Sequence, residues 1–322
     1  MTHDVLCVGE LLVDLTSDGY ADSLADAGAF RAHAGGSPAN LAVNLRHLGV
    51  ASALAATVGR DAFGGFLREG LRDGGLHERH VATDPDLPST LVLVTKTTGS
   101  PDFEVYRGAD QRLSPKQLAR AADATRRIFH TTCFALSGTP GGAHVLAAAE
   151  AFLAAAPAER AGPPRRLSID ANYAEKVWPD RREAQQTVER YVRDGALVKM
   201  SEVDFRRLYG ERLTPGNCDR LGQRLIAAGA HWACFTFGAG GATVLARDGK
   251  PVHLPAEPLR EVVDATGAGD SFWAGFLAAY VDGRDRTGCL RAGLAVAAHK
   301  LQRQGPLDRA LDWRALVDAG AP

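Results

Sequence analysis

The chain has 322 residues, 45% hydrophobic and 23% charged, enough to bury a large core in one large domain or two small ones at about 150 residues per domain. Formal net charge is −1 and the basic residues are dispersed, which leaves no electrostatic footprint for nucleic acid or an anionic membrane. Five cysteines without a C-x-x-C fit reduced thiols in a cytoplasm and argue against a zinc site. The first residues lack a basic segment ahead of an apolar core, and no apolar run approaches the ~20 residues of a membrane span, so neither a secretion signal nor a membrane segment is expected.

Val5-Leu6-Cys7-Val8-Gly9 is a short apolar run of the kind a buried parallel strand shows, and Glu10 to Leu15 carries it to a polar end. No G-x-G-x-x-G follows and no G-x-x-x-x-G-K-[ST] occurs, so neither a dinucleotide fold nor a Walker-type loop is expected. Ala34-Gly35-Gly36-Ser37-Pro38-Ala39-Asn40 then precedes apolar residues at helical spacing, Leu41, Val43, Leu45 and Leu48, and Gly49 stops the run. That loop reads as a tight turn before a capped helix, or as one in which Gly35, Gly36 and Asn40 offer hydrogen bonds to a polar ligand.

Ala51 to Val58 and the helix Phe66 to Arg72 set up a βαβ rhythm. Thr90 to Thr97 and Phe103 to Arg107, joined by Thr98-Gly99-Ser100-Pro101, break it as a hairpin. Residues 13–34 can add strands to this small lid sheet, whose edges invite pairing with a second copy. From Ser114 the alternation is regular: a helix to Arg126, a strand from Ile128 to Leu136, an Ala-rich helix to Ala155, a linker from Pro157 to Arg166, and a strand from Leu167 to Asp170. Asp170 and Asn172 stand at that strand's C-terminal end, where open α/β sheets bind ligands. Ala196 to Met200 is the next strand, followed by Ser201, a natural N-cap, and Asp204. Trp232 to Gly238 is a further one, with Gly238 and Gly241 supplying hairpin chemistry.

Asp264-Ala265-Thr266-Gly267-Ala268-Gly269-Asp270-Ser271-Phe272 puts small residues and two carboxylates ahead of an apolar run to Val281, as expected of a buried helix. Unpartnered amides and the helix dipole make Gly267, Ala268 and Gly269 a cradle for an anion. Asp270 either caps the helix or takes the proton of a hydroxyl attacking a bound phosphorus. A last apolar helix, Leu290 to Leu301, runs towards Gly305-Pro306, with His299 as a surface or packing residue.

Two stretches carry a resemblance. Gly-Gly-Ser-Pro-Ala-Asn-Leu-Ala-Val-Asn-Leu-Arg-His-Leu-Gly, residues 35–49, resembles the signature G-G-x-x-x-N-x-A-x-x-x-x-x-L-G of the ribokinase-like, or PfkB, family of carbohydrate kinases. The Asp264 to Phe272 stretch resembles that family's D-T-x-G-A-G-D-x-F, with Ala265 where Thr is common. The resemblance implies one α/β domain over residues 1–322: a three-layer, open, mostly parallel sheet with helices on both faces, plus a β-sheet lid at roughly 13–34 and 89–110. It implies transfer of the γ-phosphoryl of Mg-ATP to a sugar hydroxyl in a cytoplasmic enzyme, with Asp270 as base and the amides of Gly267, Ala268 and Gly269 as anion hole.

The resemblance also assigns the remaining roles. Asp14, Gly35, Gly36, Asn40, Arg107, Asp170 and Asn172 would hold the sugar, although Arg107 reads equally as a solvated lid arginine. Lys199, Ser201, Thr236, Gly238 and Gly241 would face the nucleotide, Asp204 would act on Mg²⁺ through water, and Asp264 and Thr266 would take a monovalent cation such as K⁺. Fructose is the first expected acceptor, on Gly-Gly-Ser-Pro-Ala-Asn, Tyr-Arg…Ala-Asp and Val-Lys-Met-Ser. After it come 2-keto-3-deoxygluconate or 5-dehydro-2-deoxygluconate, then ribose or a nucleoside, and, from another class, a sugar sensor that binds without turnover. Family members often dimerise through the lid, so a homodimer is expected.

Overall fold

The computed structural model describes residues 2–97, 102–155, 164–303, 307 and 309–318. The expected turn at 98–101, residues 156–163 of the linker, and Gly305-Pro306 lie outside the described residues. The strands are β1 His3–Val8, β2 Leu12–Tyr20, β3 Phe30–Gly35, β4 Ser52–Gly59, β5 Val81–Asp84, β6 Leu91–Lys96 and β7 Phe103–Tyr106, then β8 Thr125–Thr132, β9 Arg166–Asp170, β10 Leu197–Ser201, β11 Trp232–Thr236, β12 Ala242–Ala246 and β13 Val252–Leu254. The helices are α1 Ser37–His47, α2 Ala62–Asp73, α3 Pro115–Asp123, α4 Cys133–Leu136, α5 Gly141–Ala154, α6 Arg181–Val192, α7 Glu202–Tyr209, α8 Cys218–Ala228, α9 Ala268–Val281, α10 Arg286–Leu301 and α11 Trp313–Asp318.

Among the described residues the strands make two sheets. The larger has the order β13-β12-β11-β10-β9-β8-β1-β4-β5 and is parallel except where β12 meets β11 and β13. Strand periodicity explains why helices cover both of its faces. In β1, Leu6 and Val8 belong to one buried cluster with Leu118, Val145, Val188, Phe205 and Leu225, while Val5 and Cys7 belong to another with Leu41, Leu67, Phe276 and Val296. The same alternation separates Val198 from Leu197 and Phe235 from Cys234. Strands buried on both faces read as continuous apolar runs because every side chain meets a helix.

The smaller sheet has the order β3-β2-β6-β7, with β2 antiparallel to β3, parallel to β6, and β6 antiparallel to β7. The two segments expected to form a lid therefore share one sheet. Two local expectations need correction. Leu12 to Leu15 does not prolong β1; the chain leaves the larger sheet after Val8 and enters β2. The strand expected to reach Leu136 stops at Thr132, whose hydroxyl accepts from the Ala135 amide at 3.1 Å and caps α4, so Cys133 begins a helical turn. α9 begins at Ala268, three residues before the apolar run itself. It is buried from Ser271 to Tyr280. All five cysteines are free and buried, and among the described residues no helix is long and apolar enough to cross a membrane.

Candidate active site

The site lies over the C-terminal ends of the parallel strands. Thr132, Asp170 and Lys199 are register partners across β8, β9 and β10, and Ser201 pairs with Thr236 at the ends of β10 and β11. Above them α1 and α9 start side by side, tied by Asn44 Nδ2 donating to Ser271 Oγ at 3.3 Å. Both start on glycines in conformations that side chains resist, Gly36 at φ 105° and Gly267 at φ 71°, and neither start is capped by a side chain. Two helix starts thus face one site, although Pro38 has no N–H to offer and the Ala268 amide already donates to the Ala265 carbonyl at 3.2 Å. The expected cradle of Gly267, Ala268 and Gly269 is the first turn of α9.

Asp270 is held from across the chain. Ser37 Oγ donates to its Oδ1 at 2.7 Å and Asn40 Nδ2 to its Oδ2 at 2.9 Å. Burial raises its proton affinity, and those two donors and the Lys199 ammonium offset part of the rise. Asn40, expected on the sugar, here orients a carboxylate. Each carboxylate oxygen keeps a further lone pair for a hydroxyl proton.

Asp14 comes from β2 and lies against Gly35, where an added Cβ would stand 1.9 Å from its Oδ2. Burial pushes its carboxyl up to about 7, and Asp270 adds to the rise, which places the two acids at one site. Below them Glu10 is 3% exposed, and Thr132 Oγ1 donates to its Oε2 at 3.0 Å. Its backbone carbonyl would meet a Gly36 Cβ at 2.4 Å. Burial pushes the Glu10 carboxyl up to about 8 against the pull of hydrogen bonds and Arg107.

That shift has a sign. The folded chain keeps a proton at Glu10 that the unfolded chain releases near 4.5, so Glu10 lends stability that is lost as pH rises towards about 8. The difference in melting temperature between the wild type and Glu10→Gln is therefore expected to move against the wild type between about pH 5 and about pH 8. Parallel curves from thermal melts of the two proteins would mean that Glu10 is already ionised in the fold at the acid end.

Arg107 is clamped. Its Nε donates to Asp110 Oδ2 at 2.8 Å, its Nη1 donates to Ser137 Oγ at 2.8 Å, and its guanidinium lies 4.2 Å from the centre of the Phe134 ring. The side chain is 16% exposed, so the alternative of a solvated arginine does not hold. Asp110 in turn accepts from Thr90 Oγ1.

Lys199 Nζ donates to Asp170 Oδ2 at 2.6 Å, with both side chains buried. An added Cβ on Gly269 would stand 3.0 Å from that ammonium, so Lys199 lies directly behind the first turn of α9. Burial works against its charge, but Asp170, Asp204 and Asp270 outweigh it and hold Lys199 above its ordinary value. Asp170 Oδ1 is buried and has no hydrogen-bond partner.

Ser201 and Asp204 form a capping box on α7. Asp204 Oδ2 accepts from Ser201 Oγ at 2.6 Å and Ser201 N at 3.0 Å, and the Asp204 amide donates to Ser201 Oγ at 3.0 Å. Thr236 is half-buried beside them, Gly238 is exposed and Gly241 is buried at the hairpin, where an added Cβ would strike the Leu254 carbonyl at 2.1 Å. Asn172 is exposed just beyond β9, at φ 29°.

The cation expected at Asp264 and Thr266 does not fit this geometry. Asp264 Oδ1 accepts from the Thr266 amide at 2.9 Å. Lys300 Nζ lies 2.9 Å from Asp264 Oδ2 and donates to the Asp264 carbonyl at 2.7 Å. All three oxygens of the residue are engaged.

Sequence reasoning missed Ser37, Glu10 and Lys300 as members of this site. Ser37 lay inside the quoted 35–49 signature and could have been found there. Nothing local marks the other two.

The chain is similar to known proteins along nearly its whole length. The profile of the pfkB family carbohydrate kinases matches residues 2–313. An ATP-dependent 6-phosphofructokinase of Thermoanaerobacterium thermosaccharolyticum is 30% identical over 305 residues, 95% of this chain and 90% of that one. A probable chloroplastic fructokinase-6 of Arabidopsis thaliana is 32% identical over 281 residues, 85% of this chain and 69% of that one. Among solved structures, the Halothermothrix orenii fructokinase is 29% identical with a TM-score of 0.75, over 90% of this chain and 98% of that one. An uncharacterized sugar kinase of Pyrococcus horikoshii, solved with ATP, is 25% identical with a TM-score of 0.78, over 96% and 95%. With the paired helix starts and the carboxylate between them, the match over nearly its whole length places this chain in the pfkB family of carbohydrate kinases, phosphotransferases that act on a sugar hydroxyl.

Proposed function

We propose that the chain transfers the γ-phosphoryl group of ATP to a primary hydroxyl of fructose. The observation that carries this reading is Asp270, fixed by Ser37 and Asn40 at the uncapped start of α9. As the sugar oxygen bonds to phosphorus, its proton passes to Asp270 and the bond to the leaving ADP breaks. The amides of Gly267 and Gly269, joined by that of Ala268 when it turns from the Ala265 carbonyl, stabilise charge on the equatorial oxygens with the Lys199 ammonium behind them. Asp14 accepts a hydrogen bond from a second sugar hydroxyl. The smaller sheet is the lid over that sugar. The ATP complex of the Pyrococcus horikoshii relative supports ATP as donor, and the two fructokinases support the acceptor.

Among the described residues no three metal-ligating side chains gather, whereas the buried Asp170 Oδ1 has no partner. This suits a Mg²⁺ brought in on the triphosphate with most of its waters, which Asp170 and Asp204 would hold. The ion would supply neutralising charge to the β- and γ-phosphates.

One observation favours a second acceptor, fructose 6-phosphate. His33 pairs with Asp14 and Arg31 with Thr16, so two basic side chains belong to the sheet face that carries Asp14. The 6-phosphofructokinase relative fits the same idea. An ADP-coupled assay with fructose, fructose 6-phosphate, ribose, 2-keto-3-deoxygluconate and nucleosides decides between them. Preference for fructose by about tenfold in kcat/KM supports the first reading. Preference for its phosphate supports the second, and turnover of none ends both.

Gly35→Ala tests Asp14. The new methyl meets the free end of a side chain, so the carboxylate swings aside while the backbone holds. Sugar KM is expected to rise about tenfold with kcat and melting temperature nearly unchanged. A fall in kcat at constant KM would take Asp14 out of sugar binding.

We further propose that two copies pair through the smaller sheet, whose edge strands are β3 and β7 and whose Tyr20 and Tyr106 are 70% and 60% exposed. Sedimentation of the purified protein checks this.

A further inference from the structure

Lys300 stands on the last turn of α10 and is 1% exposed, an unusual place for an ammonium. Its Nζ is met by two oxygens of one residue, the Asp264 carboxylate at 2.9 Å and the Asp264 carbonyl at 2.7 Å. The Leu301 carbonyl binds the same loop from the other side, accepting from Val263 N at 2.8 Å and Asp264 N at 3.4 Å. Three residues further on, Gly267 turns the chain into α9. A carboxylate and a carbonyl converging on one desolvated positive charge is the environment an alkali ion would also seek. Here the charge is covalently attached.

We propose that Lys300 is a built-in substitute for a monovalent cation: a positioning residue that sets the Asp264 loop, and through it the first turn of α9, without K⁺. The functional part of this rests on the kinase reading above; the binding part does not. An alkali ion at Asp264 would meet oxygens that each already accept a hydrogen bond, two of them from a like charge that holds the place the ion would take. The loop's electrostatics would then be independent of which salt the protein meets.

The wild-type enzyme supplies the first test, with initial rates and melting temperatures in potassium, sodium or tetramethylammonium chloride at one ionic strength. Rates agreeing within about twofold, and melting temperatures within about 2 °C, are expected. K⁺-specific activation or stabilisation beyond those limits overturns the proposal. Lys300→Met supplies the second. Opening the place of the ammonium is expected to lower kcat and to make both kcat and melting temperature rise with K⁺ but not with tetramethylammonium. A folded variant indifferent to K⁺ in both readouts overturns the substitution, leaving Lys300 a structural ion pair. If that variant does not fold, the wild-type comparison decides alone. If no sugar is phosphorylated at all, the kinase reading fails, and the melting temperatures still judge the binding claim.

Discussion

Asp270→Asn should lower kcat by about 10²–10⁴ while leaving ATP affinity within about threefold. The amide keeps an oxygen for the Ser37 hydroxyl, which now donates to Oδ1 at 2.7 Å, and Asn40 can turn its own amide to meet the new one. Shape and packing therefore survive, and what disappears is the proton acceptor. The wild-type profile carries a second signature. Burial lifts Asp270 above its ordinary value even after Ser37, Asn40 and Lys199 pull it back. The protonated acid cannot accept the hydroxyl proton, so kcat/KM should decline on the acid side at a pH above the usual carboxylate range, and the Asn variant should lose that limb. Asp14 adds its own acid limb in sugar KM, centred on about 7. Rates across pH together with ATP titration calorimetry check both points. A loss of less than about tenfold, or an equal loss of ATP affinity, would show that Asp270 is not the base.

Much of this site was legible because its signals are local. A helix start without a capping side chain needs glycine and small residues in sequence, and both the 35–49 and 264–272 stretches display them before any fold is known. The alternation of apolar runs likewise announces a mostly parallel sheet. What escaped was what depends on spatial neighbours. Asp270 meets Ser37 across 233 residues and Lys300 meets Asp264 across 36, and neither separation leaves a periodic trace. Lys300 reads as one more cation near a helix C-terminus, where lysines are common for dipole reasons alone. Arg107 read as lid chemistry because nothing in Tyr106-Arg107-Gly108 reveals that Ser137 and Phe134 close around it. The exit after Val8 was hidden because Leu12 and Val13 remain buried, so hydrophobicity continued while the sheet changed. Ser201 shows the reverse case: the N-cap that its position offered is kept, as one half of a capping box with Asp204.

Lys199→Met is expected to damage the protein in two separable ways. Removing the ammonium strands Asp170, 2% exposed and already with one unpartnered oxygen, as a buried charge. Breaking a buried pair in this way costs about 3–5 kcal/mol. The chemical loss is distinct, because Nζ lies 3.0 Å from where a Cβ on Gly269 would sit, behind the amides proposed to receive the phosphoryl charge. Withdrawing that charge should lower kcat by about 10²–10³. Combining Lys199→Met with Asp170→Asn removes the stranded carboxylate, so most of the stability should return while the rate does not. Asp170→Asn alone is the reference for the rate, since it keeps the lysine, with Asp204 and Asp270 still near it to balance its charge. Denaturant melts and single-turnover rates of the three variants separate the effects. If the double variant matches Asp170→Asn in rate, Lys199 serves the fold only and the amides of α9 work without it.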